Sequence, residues 1–448
     1  MNVNLITLGC SKNQVDSEML LGYLESKGFN IVGETADADV IIVNTCGFIN
    51  SAKEEAINTL LDMAEYKDEN VGNCKCLIAV GCLAKRYKQN IINEMPEVDL
   101  VIGVDEYPNI DNIINNFFNE RNLKLASCGH GLQYKDRIIS TVFPMAYLRI
   151  SDGCDNRCAY CAIPLIRGKF VSRKIEDIVD EAKMLVARGV QELVVISQDT
   201  SRYGMDIYDG KFMLPELLRR LAKIEGVKWV RVLYLYPCEI TDELIDTIAS
   251  EPKVCNYFDI PVQHLNDKLL LAMNRRGNKK DIFDVIKKIR ERVEKPIIRT
   301  TLITGFPGET EEDFNELIEG IKELKFDRLG CFAFSREEDT KAYDMENQVD
   351  EAIGKAREEK VMEVQQQISL ENNKNHIGEV VEALIEGVSE DEEYFVCRSY
   401  MDAPDVDGRI YIKLSDIEDL SKVIVGGFYK VKITDCTPYD LYAEIIED

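Results

Sequence analysis

Histidine is almost absent from this sequence. Its 448 residues include only His130, His264 and His376, and none of them stands near the tight group of cysteines between residues 154 and 161. Structural zinc sites complete a shell of four ligands with cysteine and histidine. The scarcity of histidine therefore argues against a mixed zinc site at this group of cysteines.

Long apolar runs and a basic leader are also missing. No stretch of about 18 apolar residues occurs, and the first ten residues lack a positively charged segment followed by an apolar one. We therefore expect a cytoplasmic protein with no membrane partner. In a reducing compartment its 14 cysteines are expected to be ligands or small core residues rather than disulfides.

Positive charge is the third deficit. Lys and Arg number 54 against 80 Asp and Glu, which gives a net charge of -26. The imbalance is concentrated from residue 376 to the end, where 18 acidic residues stand against 6 basic ones. Such a surface repels phosphate backbones and favours a basic partner. A solvated acidic surface that only keeps the protein soluble is the alternative.

The strongest motif is the cysteine triplet Cys154, Cys158 and Cys161, in R-I-S-D-G-C-D-N-R-C-A-Y-C-A-I-P. An iron-sulfur cubane held by three protein thiolates keeps one iron open for an outside ligand. A structural zinc loop with a distant fourth ligand, or three unrelated thiols, are the alternatives. The spacing resembles the radical S-adenosylmethionine superfamily, whose open iron chelates the amino and carboxylate groups of S-adenosylmethionine and reduces its sulfonium.

Three apolar runs in the N-terminal third each end in a cysteine, namely Cys10, Cys46 and Cys82. Parallel strands bring their carboxyl ends to one edge of a sheet, with neighbours about 4.8 Å apart, so we predict a second three-thiolate site there. Small buried hydrophobes at strand ends are the alternative. The other cysteines lack convergent spacing and are predicted to be structural or incidental: Cys74, Cys76, Cys128, Cys238, Cys255, Cys331, Cys397 and Cys436.

The predicted fold class is α/β, in three domains. Residues 1–125 alternate apolar runs with amphipathic stretches, as in an open parallel α/β sheet. Residues 140–370 contain six longer strand-helix units, which suit a partial (βα)6 barrel with its site at the carboxyl ends of the strands. Residues 376–448 predict a small β-barrel. The candidate strands of the partial barrel are 146–150, 192–197, 229–235, 257–262, 297–303 and 328–334.

Taken together, these motifs resemble the methylthiotransferase family of the radical S-adenosylmethionine superfamily over essentially the whole chain. The resemblance is greatest to the subgroup that modifies an aspartate of ribosomal protein uS12. In the tRNA-modifying subgroup the first cysteine typically sits in a G-C-Q-M-N context, where this chain has G-C-S-K-N. One departure is Lys341, where we expect proline, in a loop predicted to lie away from the thiols. The strings that carry the resemblance are T-L-G-C-S-K-N-Q-V-D-S-E (7–18), V-N-T-C-G-F-I (43–49), V-G-C-L-A-K-R-Y (80–87), I-P-L-I-R-G-K-F-V-S-R (163–173), V-I-S-Q-D-T-S-R-Y-G (195–204) and R-S-Y-M-D-A-P-D-V-D-G (398–408).

The resemblance implies three domains, a methylthiotransferase domain, a radical domain and a TRAM domain, and two 4Fe-4S clusters. The cluster of the tight triplet would cleave S-adenosyl-L-methionine to a 5′-deoxyadenosyl radical, which abstracts hydrogen from the aspartate β-carbon. The cluster of the strand-end cysteines would hold the sulfur on its open iron, and a further S-adenosylmethionine would supply the methyl group. Both clusters need an external electron donor, and the reaction needs a sulfur donor.

Six residues are candidate contacts of S-adenosylmethionine. The aromatic residue before the last cysteine would face the adenine, with an ordinary loop aromatic as the alternative. Three polar residues near strand ends would bind methionine or ribose unless they only cap their strands. The stretch Thr301–Glu309 resembles the superfamily's adenine-binding strand, whereas His264 is expected to be a core or rim residue. The set is Tyr160, Ser197, Gln198, Gln263, Ile303 and Gly305.

Two other functions remain open from sequence. The same chemistry could act on a modified adenosine in tRNA, although a TRAM domain that grips RNA should be basic. The chain could also be a non-catalytic iron-sulfur scaffold or carrier. The resemblance implies ribosomal protein uS12, free or in the small subunit, as the partner, and an acidic C-terminal domain suits this basic protein, so nucleic acid is not expected as a substrate. Asp402, Asp405 and Asp407 are predicted to belong to the docking surface.

Overall fold

The computed structural model describes residues 1–119, 134–417 and 419–446. The predictions made for Cys128, for His130 and for the end of the first domain at residue 125 lie outside the described residues. No helix in the described ranges combines the length and the apolar character needed to cross a bilayer.

The N-terminal domain is a five-stranded parallel sheet with helices on both faces. Its elements are β1 (Asn2–Thr7), α1 (Ser11–Ser26), β2 (Asn30–Ile31), β3 (Val40–Thr45), α2 (Asn50–Ala64), β4 (Cys76–Gly81), α3 (Cys82–Arg86), α4 (Lys88–Glu94), β5 (Leu100–Gly103) and α5 (Ile110–Phe118). The strand order is β2-β1-β3-β4-β5. Val40 and Ile42 pack into one core, and Ile41 and Val43 pack into the core on the other face. Burial on both faces explains why β3 is a continuous apolar run.

The second domain is a partial barrel of six parallel strands. Its elements are β6 (Met145–Arg149), β7 (Ser151–Asp152), α6 (Ile163–Arg167), β8 (Val171–Ser172), α7 (Ile175–Ala187), β9 (Glu192–Ile196), α8 (Leu214–Ala222), β10 (Trp229–Val232), α9 (Asp242–Ser250), β11 (Tyr257–Asp259), α10 (Asp267–Ala272), α11 (Lys279–Arg292), β12 (Ile297–Thr304), α12 (Glu311–Leu324), β13 (Arg328–Ala333) and α13 (Glu351–Asn375). The sheets β6-β9-β10 and β11-β12-β13 meet at a parallel bridge between Val230 and Val254. The predicted six-strand arrangement is therefore confirmed.

The C-terminal domain is a closed five-stranded barrel. Its strands are β14 (Val380–Val388), β15 (Tyr394–Ser399), β16 (Ile410–Lys413), β17 (Phe428–Cys436) and β18 (Leu441–Ile445), in the order β14-β15-β16-β18-β17. Alternate residues such as Val381, Ala383, Ile410 and Ile412 fill its interior. The predicted α/β fold class with a small C-terminal barrel is confirmed, and β18 is a strand that the sequence patterns did not predict.

A buried ion-pair group fixes the C-terminal barrel against the partial barrel. Glu192 at the start of β9 accepts from Arg398 Nη2 of β15 at 2.6 Å and from Arg231 Nε of β10 at 2.9 Å. Arg231 also donates to the carbonyl oxygens of Tyr400 at 2.7 Å and Ser399 at 3.0 Å. All three charged side chains are fully buried. One carboxylate shared by two guanidinium groups therefore forms a buried contact at the interface between the two domains.

The expectation that Asp402 and Asp407 form a docking surface is wrong. Asp402 is buried and pairs with Arg328 at 3.0 Å. Asp407 pairs with Arg299 at 3.3 Å and accepts from the Tyr257 hydroxyl at 2.5 Å. These carboxylates hold the loop after β15 in place, and their charge is neutralised by arginines inside the protein.

Candidate cluster and cofactor site

The three strand-end cysteines lie where the sequence predicted them. Cys10 follows β1, Cys46 follows β3 and Cys82 begins the helix after β4, and these three strands are neighbours in the sheet. Cys46 and Cys82 are buried, whereas Cys10 is exposed. The carboxyl edge of one parallel sheet therefore brings three thiols together from positions 36 residues apart along the chain.

Glycines beside these cysteines let the strand-end loops touch. A Cβ atom on Gly9 would lie 2.7 Å from Cys46 Cβ and 3.0 Å from Cys46 Sγ. A Cβ atom on Gly47 would lie 2.9 Å from the backbone of Leu83, and Gly81, with φ of +98°, would meet Asn44 Oδ1 at 2.4 Å. Side chains at these positions would push the loops apart, so the close approach of the three thiols depends on glycine.

The second group of cysteines lies in the loop between β7 and α6. Cys154 N donates to the Gly168 carbonyl at 3.2 Å, and Cys161 N donates to the Cys158 carbonyl at 3.0 Å. Ala159 N donates to the carbonyl of Met273 at 2.8 Å. The loop is thus tied to two other segments of the partial barrel.

The loop that carries Lys341 also holds this segment. Ala342 N donates to the Ala159 carbonyl at 2.8 Å, and Ala342 packs in the same apolar cluster as Ala159 and Tyr160. In the same loop, the buried carboxylate of Glu337 pairs with Arg86 of α3 at 2.7 Å. The expectation that this loop lies away from the thiols is therefore wrong.

All six cysteines face one cavity of about 630 Å³ between the N-terminal domain and the partial barrel. Among the described residues, no histidine lines this cavity, and each group of cysteines offers three thiols. Three thiolates suit an iron-sulfur cubane that keeps one iron open, whereas a structural zinc site takes four cysteine or histidine ligands. Other residues that line the cavity include Asn13, Phe48, Ile163, Arg167, Tyr234, Tyr236, Arg275 and Arg299.

Burial and local hydrogen bonds shift the pKa of the cysteine thiols in opposite directions. Burial raises the pKa of the Cys46 and Cys161 thiols to about 12 and that of Cys154 to about 11. In each case the backbone N–H two residues later opposes this shift by donating to the sulfur, from Phe48, Ile163 and Asn156 respectively. Metal binding must therefore displace protons here, and the N–H groups remain available to a coordinated thiolate.

Three of the six predicted cofactor contacts line the cavity: Tyr160, Gln198 and Gln263. Gln198 Oε1 is buried and accepts no hydrogen bond within the described part of the chain. Gln263 has a positive φ of +71°, a conformation that is costly for a residue with a side chain and is concentrated at ligand sites. An unpaired acceptor facing the cavity fits a hydroxyl or amino group of a bound nucleoside.

The other three predicted contacts stand behind the cavity wall. The Ser197 hydroxyl is hydrogen-bonded to that of Ser151 and accepts from Asp199 N at 3.3 Å. A Cβ atom on Gly305 would lie 2.8 Å from Gly354 Cα, so its close approach is to helix α13. Ile303 packs against the apolar cluster that supports Tyr160. His264 is fully buried and accepts from Asn266 N at 3.1 Å through Nδ1, as expected for a core residue.

A buried polar network that sequence reasoning missed joins the two domains beside Cys82. Arg167 Nη2 donates to Asn13 Oδ1 at 2.9 Å, pairs with Asp16 at 2.7 Å and lies 3.7 Å from Cys82 Sγ. Asp16 also pairs with Arg149 at 2.5 Å. The available signal was the spacing of Asn13 and Asp16 on α1, three residues apart on one face of the helix.

A second cavity, of about 530 Å³, adjoins the first. The two share Cys10, Tyr234 and Arg299 as lining residues, and the second is also lined by the loop residues 404–406 of the C-terminal domain. The second cavity therefore lies between the C-terminal barrel and the cavity that all six thiols face, with Cys10 in the wall of both.

Comparison with known proteins covers each domain. The chain matches the model of Uncharacterized protein family UPF0004 over residues 2–103, the Radical SAM superfamily over residues 148–321 and the TRAM domain over residues 377–446. Ribosomal protein uS12 methylthiotransferase RimO of Clostridium novyi (strain NT) is 47% identical over 449 residues, which cover 100% of this chain and 98% of that protein. The chain belongs to the RimO family. The RimO proteins of Alkaliphilus oremlandii (strain OhILAs), at 47% identity and 99% coverage of both chains, and of Acetivibrio thermocellus, at 46% identity and coverage of 100% and 98%, are similarly close.

Solved structures share the fold of this RimO-family chain. The radical S-adenosylmethionine methyltransferase TsrM from Kitasatospora setae has a TM-score of 0.54 at 13% identity and covers 74% of both chains. The cobalamin-dependent S-adenosylmethionine radical enzyme OxsB has a TM-score of 0.51 at 11% identity, covering 76% of this chain and 54% of its own. The predicted class of enzyme, a radical S-adenosylmethionine methylthiotransferase with an iron-sulfur cluster, is confirmed by membership of the RimO family and by the match to the Radical SAM superfamily.

Proposed function

We propose that this protein adds a methylthio group to the β-carbon of an aspartate in ribosomal protein uS12, using two 4Fe-4S clusters. The observation that carries the proposal is that six cysteines from two domains face one cavity. A carbon radical must meet activated sulfur in the same enclosed space before solvent or protein quenches it. Two separate thiol groups facing one cavity satisfy that requirement.

In this proposal the two groups of cysteines hold different clusters. Cys154, Cys158 and Cys161 hold the one that binds S-adenosylmethionine, and the strand-end group holds the one that carries sulfur. When bound, the clusters and S-adenosylmethionine would supply the 5′-deoxyadenosyl radical and the methylthio unit. The protein's own part is to position substrate and cofactor: Tyr160 and Gln198 line the cavity on the side of the tight triplet and are the proposed contacts of the nucleoside.

A protein substrate fits the charge of the C-terminal domain. Its turn between β14 and β15 exposes four consecutive acidic residues, Glu390–Glu393. Such a surface attracts a basic protein and repels a phosphate backbone. The relatives are named for uS12, which agrees with this preference. We further propose that a one-electron donor and a sulfur source act from outside the chain, in the cytoplasm where ribosomes are assembled.

The test is mass spectrometry of uS12 and of tRNA nucleosides from cells with and without this gene. We expect a methylthio increment on one aspartate of uS12 that disappears with the gene, and unchanged tRNA nucleosides. Loss of a methylthioadenosine with uS12 unaffected would replace this proposal with the tRNA function. Failure of the reduced, anaerobically reconstituted protein to cleave S-adenosylmethionine would instead favour a non-catalytic scaffold.

A further inference from the structure

Lys12 is a buried cation whose position is unfavourable for two reasons, the helix dipole and the loss of solvent. It lies in the first turn of α1, two residues after Cys10, where the helix dipole disfavours positive charge. Its side chain is also removed from solvent, with 7% of the residue exposed. A desolvated ammonium group is expensive unless an anion or several hydrogen-bond acceptors compensate it.

The described side chains and backbone groups of the protein supply no such compensation. In residues 1–119, 134–417 and 419–446, Lys12 Nζ makes neither an ion pair nor a hydrogen bond, and it lies 3.0 Å from the centroid of the Tyr234 ring. The aromatic face offers a weak electrostatic attraction but accepts no ionic hydrogen bond. The ammonium therefore keeps its capacity to donate to an anionic group.

The other buried cations that line the cavity are already engaged. Arg167 pairs with Asp16, and Arg299 pairs with Asp259 at 3.0 Å. Arg275 donates to the Pro261 carbonyl at 2.6 Å and lies over the Tyr236 ring. Arg157, which also lines the cavity, is exposed. Among the described residues, Lys12 is thus the buried cation of this cavity whose charged group has neither an ion pair nor a hydrogen bond.

The ring beneath Lys12 is held in an unusual backbone conformation. Tyr234 follows β10 with φ of +64°, and its N–H donates to Asp259 at 2.9 Å. Its hydroxyl lies 3.4 Å from the Ser11 hydroxyl. A residue with a side chain held in the left-handed region is costly and is found mainly at functional sites. The surrounding contacts therefore fix the position of Lys12 through the ring.

We infer that Lys12 binds the side-chain carboxylate of the substrate aspartate. Lys12 lines the main cavity, and Cys10 and Tyr234 line both this cavity and the one that opens toward residues 404–406. An aspartate whose β-carbon reaches the main cavity brings its carboxylate, which is bonded directly to the β-carbon, within reach of the ammonium. Holding that carboxylate orients the β-carbon for reaction and rejects a side chain without charge. The inference rests on the proposed function.

A substitution that removes only the charge of Lys12 tests this inference. Methionine is unbranched and of similar length but carries no charge, so it leaves a bound carboxylate without a partner. Lys12→Met is therefore the variant that removes the ammonium with the least change in shape.

The test is a double-mutant cycle between Lys12 and the substrate. Anaerobically reconstituted wild type, Lys12→Met and Lys12→Arg are titrated with recombinant uS12 and with its form in which the target aspartate is replaced by asparagine. Wild type is expected to bind the aspartate form roughly 10- to 100-fold more tightly than the asparagine form, the range for losing a hydrogen bond to a charged group. Lys12→Met is expected to bind both forms alike, and Lys12→Arg to keep part of the preference.

The matched control is Lys27→Met, which removes an exposed lysine that also lies over a tyrosine ring, 5.2 Å from the centroid of Tyr23. This variant is expected to keep the wild-type preference for aspartate. Thermal melting gives a readout that is independent of substrate. Because Lys12 has no ionic partner, Lys12→Met is expected to melt at or above the wild-type temperature.

Two results would overturn the inference. Equal preference for aspartate in Lys12→Met and wild type would show that the carboxylate binds elsewhere. A lower melting temperature for Lys12→Met, or equal weakening of both uS12 forms, would show that the ammonium serves the fold or the charge of a neighbouring cluster. Failure of wild type to modify uS12 at all would instead contradict the proposed function.

Discussion

Single residues can test the different roles that we propose for the two thiol groups. Cys46 and Cys82 are buried and surrounded by tight glycine contacts, Cys10 is exposed, and the triplet residues Cys154, Cys158 and Cys161 are intermediate in exposure. In the proposed function the triplet holds the cluster that cleaves S-adenosylmethionine, and the strand-end group holds the cluster that carries sulfur. Substitutions in the two groups should therefore have different consequences.

Replacing Cys158 with Ala should abolish formation of 5′-deoxyadenosine. One of three ligands of the S-adenosylmethionine cluster is lost, and the strand-end group is untouched, so iron content should fall by about half. Anaerobic assay of 5′-deoxyadenosine together with iron analysis checks this. Cys238→Ala, at an exposed cysteine that does not face the cavity, is the control and should behave as wild type. Formation of 5′-deoxyadenosine by Cys158→Ala at the wild-type rate would contradict the ligand assignment.

Replacing Cys46 with Ala should separate cleavage from transfer. The triplet cluster remains, so S-adenosylmethionine is still cleaved, but no methylthio product forms because the radical meets no activated sulfur. Mass spectrometry of uS12 alongside the 5′-deoxyadenosine assay measures both steps. Cys74→Ala removes another buried thiol of the same domain and should leave the product yield unchanged. If Cys46→Ala still made product, the strand-end thiols would be core residues only.

Secondary-structure elements were predictable where burial imposes a simple pattern. The six strands of the partial barrel are apolar runs at the predicted positions, and Cys10, Cys46 and Cys82 follow strands that are neighbours in the sheet. The short strand Leu441–Ile445, which pairs with the preceding strand β17 and with β16, was not predicted. Asp402 was misread because its partner, Arg328, lies 74 residues earlier.

The same reasoning applies to the site. Cysteine spacing and strand ends are local signals, so both thiol groups could be proposed from sequence. The polar residues of α1 become functional candidates only when that helix packs against the partial barrel, more than 100 residues away, as the contact of Asp16 with Arg149 shows. A charged residue in a helix normally predicts a solvated face, so tertiary packing had to reveal these side chains.

The element-scale prediction concerns Glu192, which connects β9 to β15. Burial opposes its ionisation, but Arg398 and Arg231 outweigh this and hold the pKa of Glu192 below its ordinary value of 4.5. Glu192→Gln leaves two buried guanidinium groups without their shared carboxylate and should lower the free energy of unfolding by about 3–5 kcal/mol. Thermal or urea unfolding measures the loss, and limited proteolysis should release the C-terminal barrel.

The pH dependence of stability gives a second readout of the same contact. A carboxyl group with a lowered folded-state pKa stabilises the fold above its unfolded pKa, and this contribution is lost as pH falls through the folded value. Wild type should therefore lose stability more steeply than Glu192→Gln below about pH 4.5. The control is Glu382→Gln, whose exposed pair with Lys228 at 3.4 Å crosses the same interface and should contribute about 0–1 kcal/mol. Equal effects of the two substitutions would contradict the importance of burial.

On the scale of the whole molecule, we propose that acidic charge favours a basic partner. Because Asp402 and Asp407 form internal ion pairs, such docking would use acidic side chains that remain exposed. The turn Glu390–Glu393 is such a group, and Asp391 within it accepts from Ser389 Oγ and Glu393 N, which shapes the turn. A test of docking should therefore change the neighbouring glutamates and leave Asp391 in place.

The triple variant Glu390→Lys, Glu392→Lys and Glu393→Lys should weaken binding of uS12 by about tenfold at low salt, since each exposed pair contributes less than about 1 kcal/mol. The difference should shrink with added salt, because the screening length falls from about 10 Å at 0.1 M to 3 Å at 1 M. For a tRNA substrate the same change should strengthen binding by neutralising phosphates. Titration of uS12 and of tRNA at several salt concentrations distinguishes the two signs.

A control with the same change in net charge shows whether location matters for this last prediction. Glu323→Lys, Glu359→Lys and Glu363→Lys alter three exposed glutamates on α12 and α13, away from the C-terminal barrel. If docking uses the turn Glu390–Glu393, this control should weaken uS12 binding much less than the turn variant, because charges beyond a screening length of about 8 Å at physiological salt interact little. Equal weakening by both variants would mean that overall negative charge attracts uS12 without a defined docking surface. Stronger tRNA binding accompanied by tRNA modification in the turn variant would move the substrate assignment from protein to RNA.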